Sequence, residues 1–217
     1  MLAFFLLCAA PPALGFSQGE VIERVQAAYE QTQSWEAKFT EVSVNRSLGI
    51  ELEKHGQAYF QKPGLMRWEY EVPDRRLIVS DGELLWVYTP EDEQVLVASI
   101  ESLYRADAPI LFLTGEGKLA DYFDILLIGG EEMCSHGEVV LELVPREQQV
   151  NLAKLRMVAD AESFQIVGTV VYDHFGNVAD IRFCDIRTDR DLPANLFQFS
   201  VPPGTEVIEA SQFGRGR

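Results

Sequence analysis

The sequence predicts a mainly β protein: one antiparallel meander of about eleven short strands, covered by an N-terminal helix and a central helical insert. Three observations carry that expectation. From Trp35 onward, apolar residues recur at two-residue spacing over most of the chain. Turn-forming clusters such as Lys62-Pro63-Gly64, Pro73-Asp74, Asp81-Gly82 and Thr89-Pro90-Glu91 punctuate those runs. Helical periodicity is confined to the stretch before Ser34 and to a region around Pro109.

Residues 1–19 carry no charged side chain and open with an apolar run ending in Pro11-Pro12. That layout predicts a signal peptide over 1–15, with small residues at Ala13 and Gly15 for the peptidase and Phe16 as the first mature residue. Cys8 follows Leu7, which is too large for a lipid-attachment site, so Cys8 is assigned to the removed segment. Residues 16–217 are then long enough for a single domain with a sizeable core.

Within that domain, residues 17–34 predict a helix, because Val21, Ile22, Val25, Ala28, Tyr29 and Thr32 recur every three or four positions and Ser17 with Glu20 can form a capping box. Strands are predicted over 35–46, 52–61, 65–72, 76–80, 84–89 and 94–98. Residues 100–123 hold Pro109, Gly115 and Gly117 and predict short helices and bends. Strands resume over 124–127, 138–144, 153–159, 166–172 and 178–187; a helical turn over 192–197 precedes a last strand over 197–201. A curled sheet of this size has to close on itself or cover its apolar face, and the first helix and the insert are the available covers.

The formal charge of -16 argues against nucleic acid and against an anionic bilayer surface as direct partners. His55, His136 and His174 are isolated, and no nucleophile, phosphate-loop or dinucleotide signature is present. The acidic runs Glu91-Asp92-Glu93 and Glu131-Glu132 fall in turns. No catalytic centre, metal or cofactor is therefore indicated. Cys134 and Cys184 are compatible either with one disulfide in an oxidising compartment or with two buried free thiols in neighbouring strands.

The strongest local signal is apolar. Met66, Trp68, Tyr70 and Val72 share one strand face, and Leu84, Trp86 and Tyr88 share one face of a later strand. Two readings fit: an ordinary sandwich core, or the lining of a ligand cavity under a helical cover.

The run Gly56-Gln57-Ala58-Tyr59-Phe60-Gln61-Lys62-Pro63-Gly64-Leu65-Met66-Arg67-Trp68-Glu69-Tyr70, then Pro73-Asp74, Leu77-Ile78-Val79-Ser80-Asp81-Gly82 and Leu85-Trp86-Val87-Tyr88-Thr89-Pro90, resembles the signature of the LolA family of periplasmic lipoprotein carriers. The preceding helix, a Phe39-Thr40 strand, a Pro109 segment and the terminal Phe197-x-Phe199-x-Val201-Pro202-Pro203-Gly204 agree in order, so the resemblance spans residues 16–217. It implies an open, incomplete antiparallel barrel whose concave apolar face is covered by helices acting as a lid. It also implies a non-enzymatic carrier, monomeric and without cofactor, that takes acylated lipoproteins from an inner-membrane ABC release complex and hands them to an outer-membrane receptor. A lipid-sensing regulatory module of the same fold, or a carrier of another lipid, is the alternative.

Carried onto this chain, the resemblance places Met66, Trp68, Trp86 and Tyr88 in the lipid cavity and Ile110, Leu111, Phe112 and Leu113 in the lid. Lys62 takes the position of a basic residue, usually Arg, that latches the lid through its backbone. Met66 stands where the family often has an aromatic residue, and a flexible thioether suits a cavity that moulds itself to varied chains. Each buried methylene contributes about 0.8 kcal/mol, so a long acyl chain is worth roughly 10 kcal/mol before ordering costs. On this reading, Trp68→Glu abolishes loading and leaves the fold intact.

Overall fold

In a computed structural model of the chain, residues 16–100, 118–128, 137–149 and 151–209 are described. The helix forms as its pattern requires: α1 runs Gln18–Gln31, Ser17 caps it, and the reciprocal bonds with Glu20 complete the capping box. It stops before Ser34 because Thr32 leaves helical geometry while its N–H and hydroxyl both donate to the Ala28 carbonyl. A second short helix, α2, spans Leu119–Tyr122.

The described residues hold one sheet. Its strands are β1 Ser34–Asn45, β2 Ile50–Gln61, β3 Leu65–Val72, β4 Arg76–Asp81, β5 Leu84–Thr89, β6 Gln94–Ser99, β7 Phe123–Ile128, β8 Glu138–Pro145, β9 Lys154–Asp160, β10 Ile166–Tyr172, β11 Val178–Thr188 and β12 Glu206–Glu209. They lie in the order β12-β6-β5-β4-β3-β2-β1-β11-β10-β9-β8-β7, so two antiparallel meanders meet where β1 pairs with β11. β7 and β12 end the order unpaired with one another, so the sheet is open.

The last strand departs from the sequence expectation. Residues 197–201 are not a strand: Phe197 closes a 3-10 turn over Ala194–Phe197, and β12 comes later, parallel to β6. Pro202 and Pro203 have no N–H to donate to a ladder, which leaves the preceding segment free to pack through its side chains instead. Phe199 accordingly lies against Trp86 and Tyr88, with ring centroids 6.0 and 5.9 Å away.

Two buried clusters sit on one face, which the strand registers identify as continuous from β7 to β6 and which we call the inner face. Val21 and Val25 of α1 pack there on Phe123, Leu141, Leu143, Leu155 and Met157 of β7 to β9. Phe39, Ala58, Phe60, Met66, Trp68, Leu85 and Phe183 form the second cluster across β1 to β5 and β11. Its shape depends on a glycine. Gly56 lies between Phe39 and Tyr70 in register, and a methyl group there would sit 2.0 Å from the Glu69 carbonyl oxygen and 2.8 Å from the Phe39 ring. Gly56→Ala is therefore expected to cost about 1–3 kcal/mol through overpacking, read as a lower urea midpoint at unchanged slope.

Candidate functional site

The C-terminal turn of α1 and strands β1, β2, β10 and β11 enclose a cleft of about 80 Å³. Ala28, Tyr29 and Thr32 line it from the helix; Trp35, Phe60 and Phe183 line it from the sheet. The aromatic wall continues inward. Trp35 lies 5.1 Å from Phe60 and 4.7 Å from Phe183 between centroids, Phe60 lies 5.6 Å from Trp68, and Trp68 lies 4.8 Å edge-on to Phe39. Trp68 is 1% exposed and Met66 fully buried; both belong to the inner-face cluster with Phe60, and neither lines the cleft itself.

Trp86 and Tyr88 do not join them. Strand pairing aligns Trp68 with Ile78 and Ile78 with Val87, while Trp86 aligns with Val79 and Arg67. Leu85 and Val87 therefore stand on the inner face, and Trp86 and Tyr88 stand on the outer one beneath Phe199. The Arg67 guanidinium donates to the Leu196 carbonyl at 3.1 Å and holds this C-terminal strap on the outer face. Alternation settles which residues share a face within a strand; the turn between strands settles which face of the neighbour matches it.

Lys62, in the β2–β3 turn, lines the cleft and bridges the sheet to α1. Its amine donates to the Tyr29 carbonyl at 2.7 Å and the Glu30 carbonyl at 3.0 Å, and its backbone N–H donates to Gln33 at 2.9 Å. These helix carbonyls lie in the last turn of α1, at the negative end of the helix dipole. Burial lowers the pKa of the Lys62 amine from its ordinary value, against the opposing pull of Glu30 and Asp189. The expected lid residues Ile110, Leu111, Phe112 and Leu113, like Cys134 and His136, lie outside the described residues. Cys184 is an exposed free thiol on β11, not the buried one considered from sequence.

A polar cluster borders the aromatic wall. Glu41 is 6% exposed on the inner face. One carboxylate oxygen accepts from the Lys54 amine at 2.7 Å and from the Ser43 hydroxyl; the other accepts from the Tyr70 hydroxyl at 2.8 Å. Burial alone would raise the Glu41 pKa, but the bonds from Lys54 and Ser43, the Lys54 charge and the Tyr70 bond outweigh it and hold the carboxyl below its ordinary value. Burial pushes the Tyr70 hydroxyl the other way, reinforced by the Glu41 charge. Tyr70 in turn packs its ring 4.9 Å from Phe39 and parallel to Trp68. Trp68 itself has one unmet need: its buried indole N–H has no acceptor.

Sequence reasoning missed Trp35, Phe60 and Phe183 as cavity lining and Glu41 as their polar border. The signal for the first two was present, since Trp35, Ala37 and Phe39 alternate along β1, as do Ala58 and Phe60 along β2. Phe183 reaches the same wall only through the β1–β11 pairing, which joins residues far apart in sequence.

A family model described as outer membrane lipoprotein carrier protein LolA matches residues 14–200. An outer-membrane lipoprotein carrier protein of Methylococcus capsulatus is 33% identical over 186 residues, covering 86% of this chain and 86% of that one. One from Azotobacter vinelandii is 31% identical over 211 residues, covering 94% and 96%. Among solved structures, an uncharacterized conserved protein from Thermus thermophilus shares the fold with a TM-score of 0.51 at 16% identity, over 88% of this chain and 98% of that one.

Proposed function

Because the chain belongs to the LolA family of outer membrane lipoprotein carrier proteins, and is thus a periplasmic carrier and not an enzyme, we propose that it binds the acyl chains of lipoproteins against its inner face. In this reading residues 1–15 are a cleaved signal peptide and 16–217 the single carrier domain. Cargo comes from an inner-membrane ABC release complex and leaves to an outer-membrane receptor.

The observation that carries the proposal is the continuous aromatic wall of Trp35, Phe60, Phe183, Trp68 and Phe39, whose outer end, at Trp35, Phe60 and Phe183, forms a cleft with the last turn of α1. A cleft of about 80 Å³ is several-fold below the roughly 300–1,000 Å³ of ordinary ligand pockets. Loading therefore requires α1 to lift from the sheet, and the latch that opposes lifting is Lys62. Buried acyl methylenes at about 0.8 kcal/mol each supply the driving force for opening. The same sum makes spontaneous loss into water slow, so release falls to a partner with a tighter site.

Native mass spectrometry of the protein taken from its own periplasm tests the proposal: recovery of a bound acylated lipoprotein supports it, and protein carrying only phospholipid or no lipid overturns it. Lys62→Met removes two charge-assisted bonds at a partly exposed site, together worth about 1 kcal/mol. It is expected to bind a triacylated lipopeptide about fivefold more tightly, because closure competes with loading. Unchanged affinity in a fluorescence titration would remove Lys62 from the latch.

A further inference from the structure

We propose that the indole N–H of Trp68 is the contact that recognises the carbonyl of a bound acyl group, an inference that rests on the acyl-carrier reading above. The nitrogen is buried and unpaired. Around the indole ring stand those of Phe39, Phe60 and Phe183, whose faces could offer only weak contacts to an N–H. The polar cluster that borders the wall is already engaged, with one Glu41 oxygen taken by Lys54 and Ser43 and the other by Tyr70. Backbone carbonyls of the surrounding strands are drawn into the sheet ladders.

A buried donor with no acceptor is costly, and native proteins retain few of them. An acyl chain has the complementary defect. Its tail gains by leaving water, but its ester or amide carbonyl follows the tail into an apolar site and loses its hydrogen bonds there. When the two meet, both defects are removed at once. Trp68 then selects acyl ligands over alkyl ones and fixes how deep the carbonyl sits, with the apolar area of the wall supplying affinity for the tail.

The test replaces the N–H and keeps the ring: Trp68→benzothienylalanine, in which sulfur stands for the indole nitrogen, is compared with the full chain bearing tryptophan. Each is titrated with diester and diether phosphatidylcholines of equal chain length, and with a triacylated lipopeptide and its ether counterpart. The unmodified protein is expected to bind the ester member of a pair about tenfold more tightly, a difference of about 1.4 kcal/mol. The substituted protein is expected to bind both members alike. A preference confined to the lipopeptide pair makes lipoprotein the source of the carbonyl; a preference in both pairs makes it any acyl ester. Equal binding of ester and ether by the unmodified protein, or a preference that survives the substitution, overturns the inference and leaves the carrier reading standing. Binding of none of the four ligands would instead defeat the carrier reading.

Discussion

Trp68→Ala is expected to lower stability by about 3–5 kcal/mol and to abolish acyl loading. The residue is 1% exposed and touches four other rings, Phe39, Phe60, Tyr70 and Phe183. Truncation removes the centre of the inner-face cluster and leaves a cavity that the strands, fixed by their ladders, close only in part. For a chain of this size the melting temperature is expected to fall by on the order of 10 °C. The same burial changes what Trp68→Glu does. A carboxylate at that position has no cation among its aromatic neighbours, so it unfolds the protein and does not spare the fold as the strand-face argument implies. Circular dichroism melts of both variants decide the matter, and a Trp68→Glu protein that melts near the parent temperature would show that the position opens to water more readily than its burial indicates.

The elements were largely readable because local chemistry writes their limits. β3, β5 and β10 begin and end where alternation and the flanking turn residues place them, at Leu65–Val72, Leu84–Thr89 and Ile166–Tyr172. The capping box at Ser17 is equally local. What was not readable depended on relations between elements. The face on which Trp86 and Tyr88 stand is fixed by the β4–β5 register and flips with one residue of slip. The parallel pairing of β12 with β6 joins segments about a hundred residues apart, and no periodicity within Glu206–Glu209 announces it. Phe183 and Glu41 enter the site through the β1–β11 and β1–β2 ladders, so a window read along the chain shows a phenylalanine among charges and a glutamate among apolar residues without showing what each faces.

Glu41→Leu is expected to cost about 2–3 kcal/mol, below the 3–5 of a fully buried pair because Lys54 keeps 22% of its side chain in water. The loss comes from what stays behind: Lys54 without its counter-ion, and the Tyr70 and Ser43 hydroxyls without their acceptor. Adding Lys54→Met should recover most of that cost, since an apolar pair needs no compensation, and the cycle gives a coupling energy that the two single changes do not predict by addition. The pH dependence has a definite sign. The folded-state pKa of Glu41 lies below its unfolded value near 4.5, so its contribution is fully present above that value and is lost as pH falls through the folded pKa. Against Glu41→Gln, which cannot ionise, the parent protein is expected to hold a constant stability advantage at neutral pH and to lose it progressively as pH falls below 4.5. Urea denaturation of the two proteins across the acid range measures that difference directly, and an advantage that does not shrink at all as pH falls below 4.5 would mean that the carboxyl acts through packing and not through its charge.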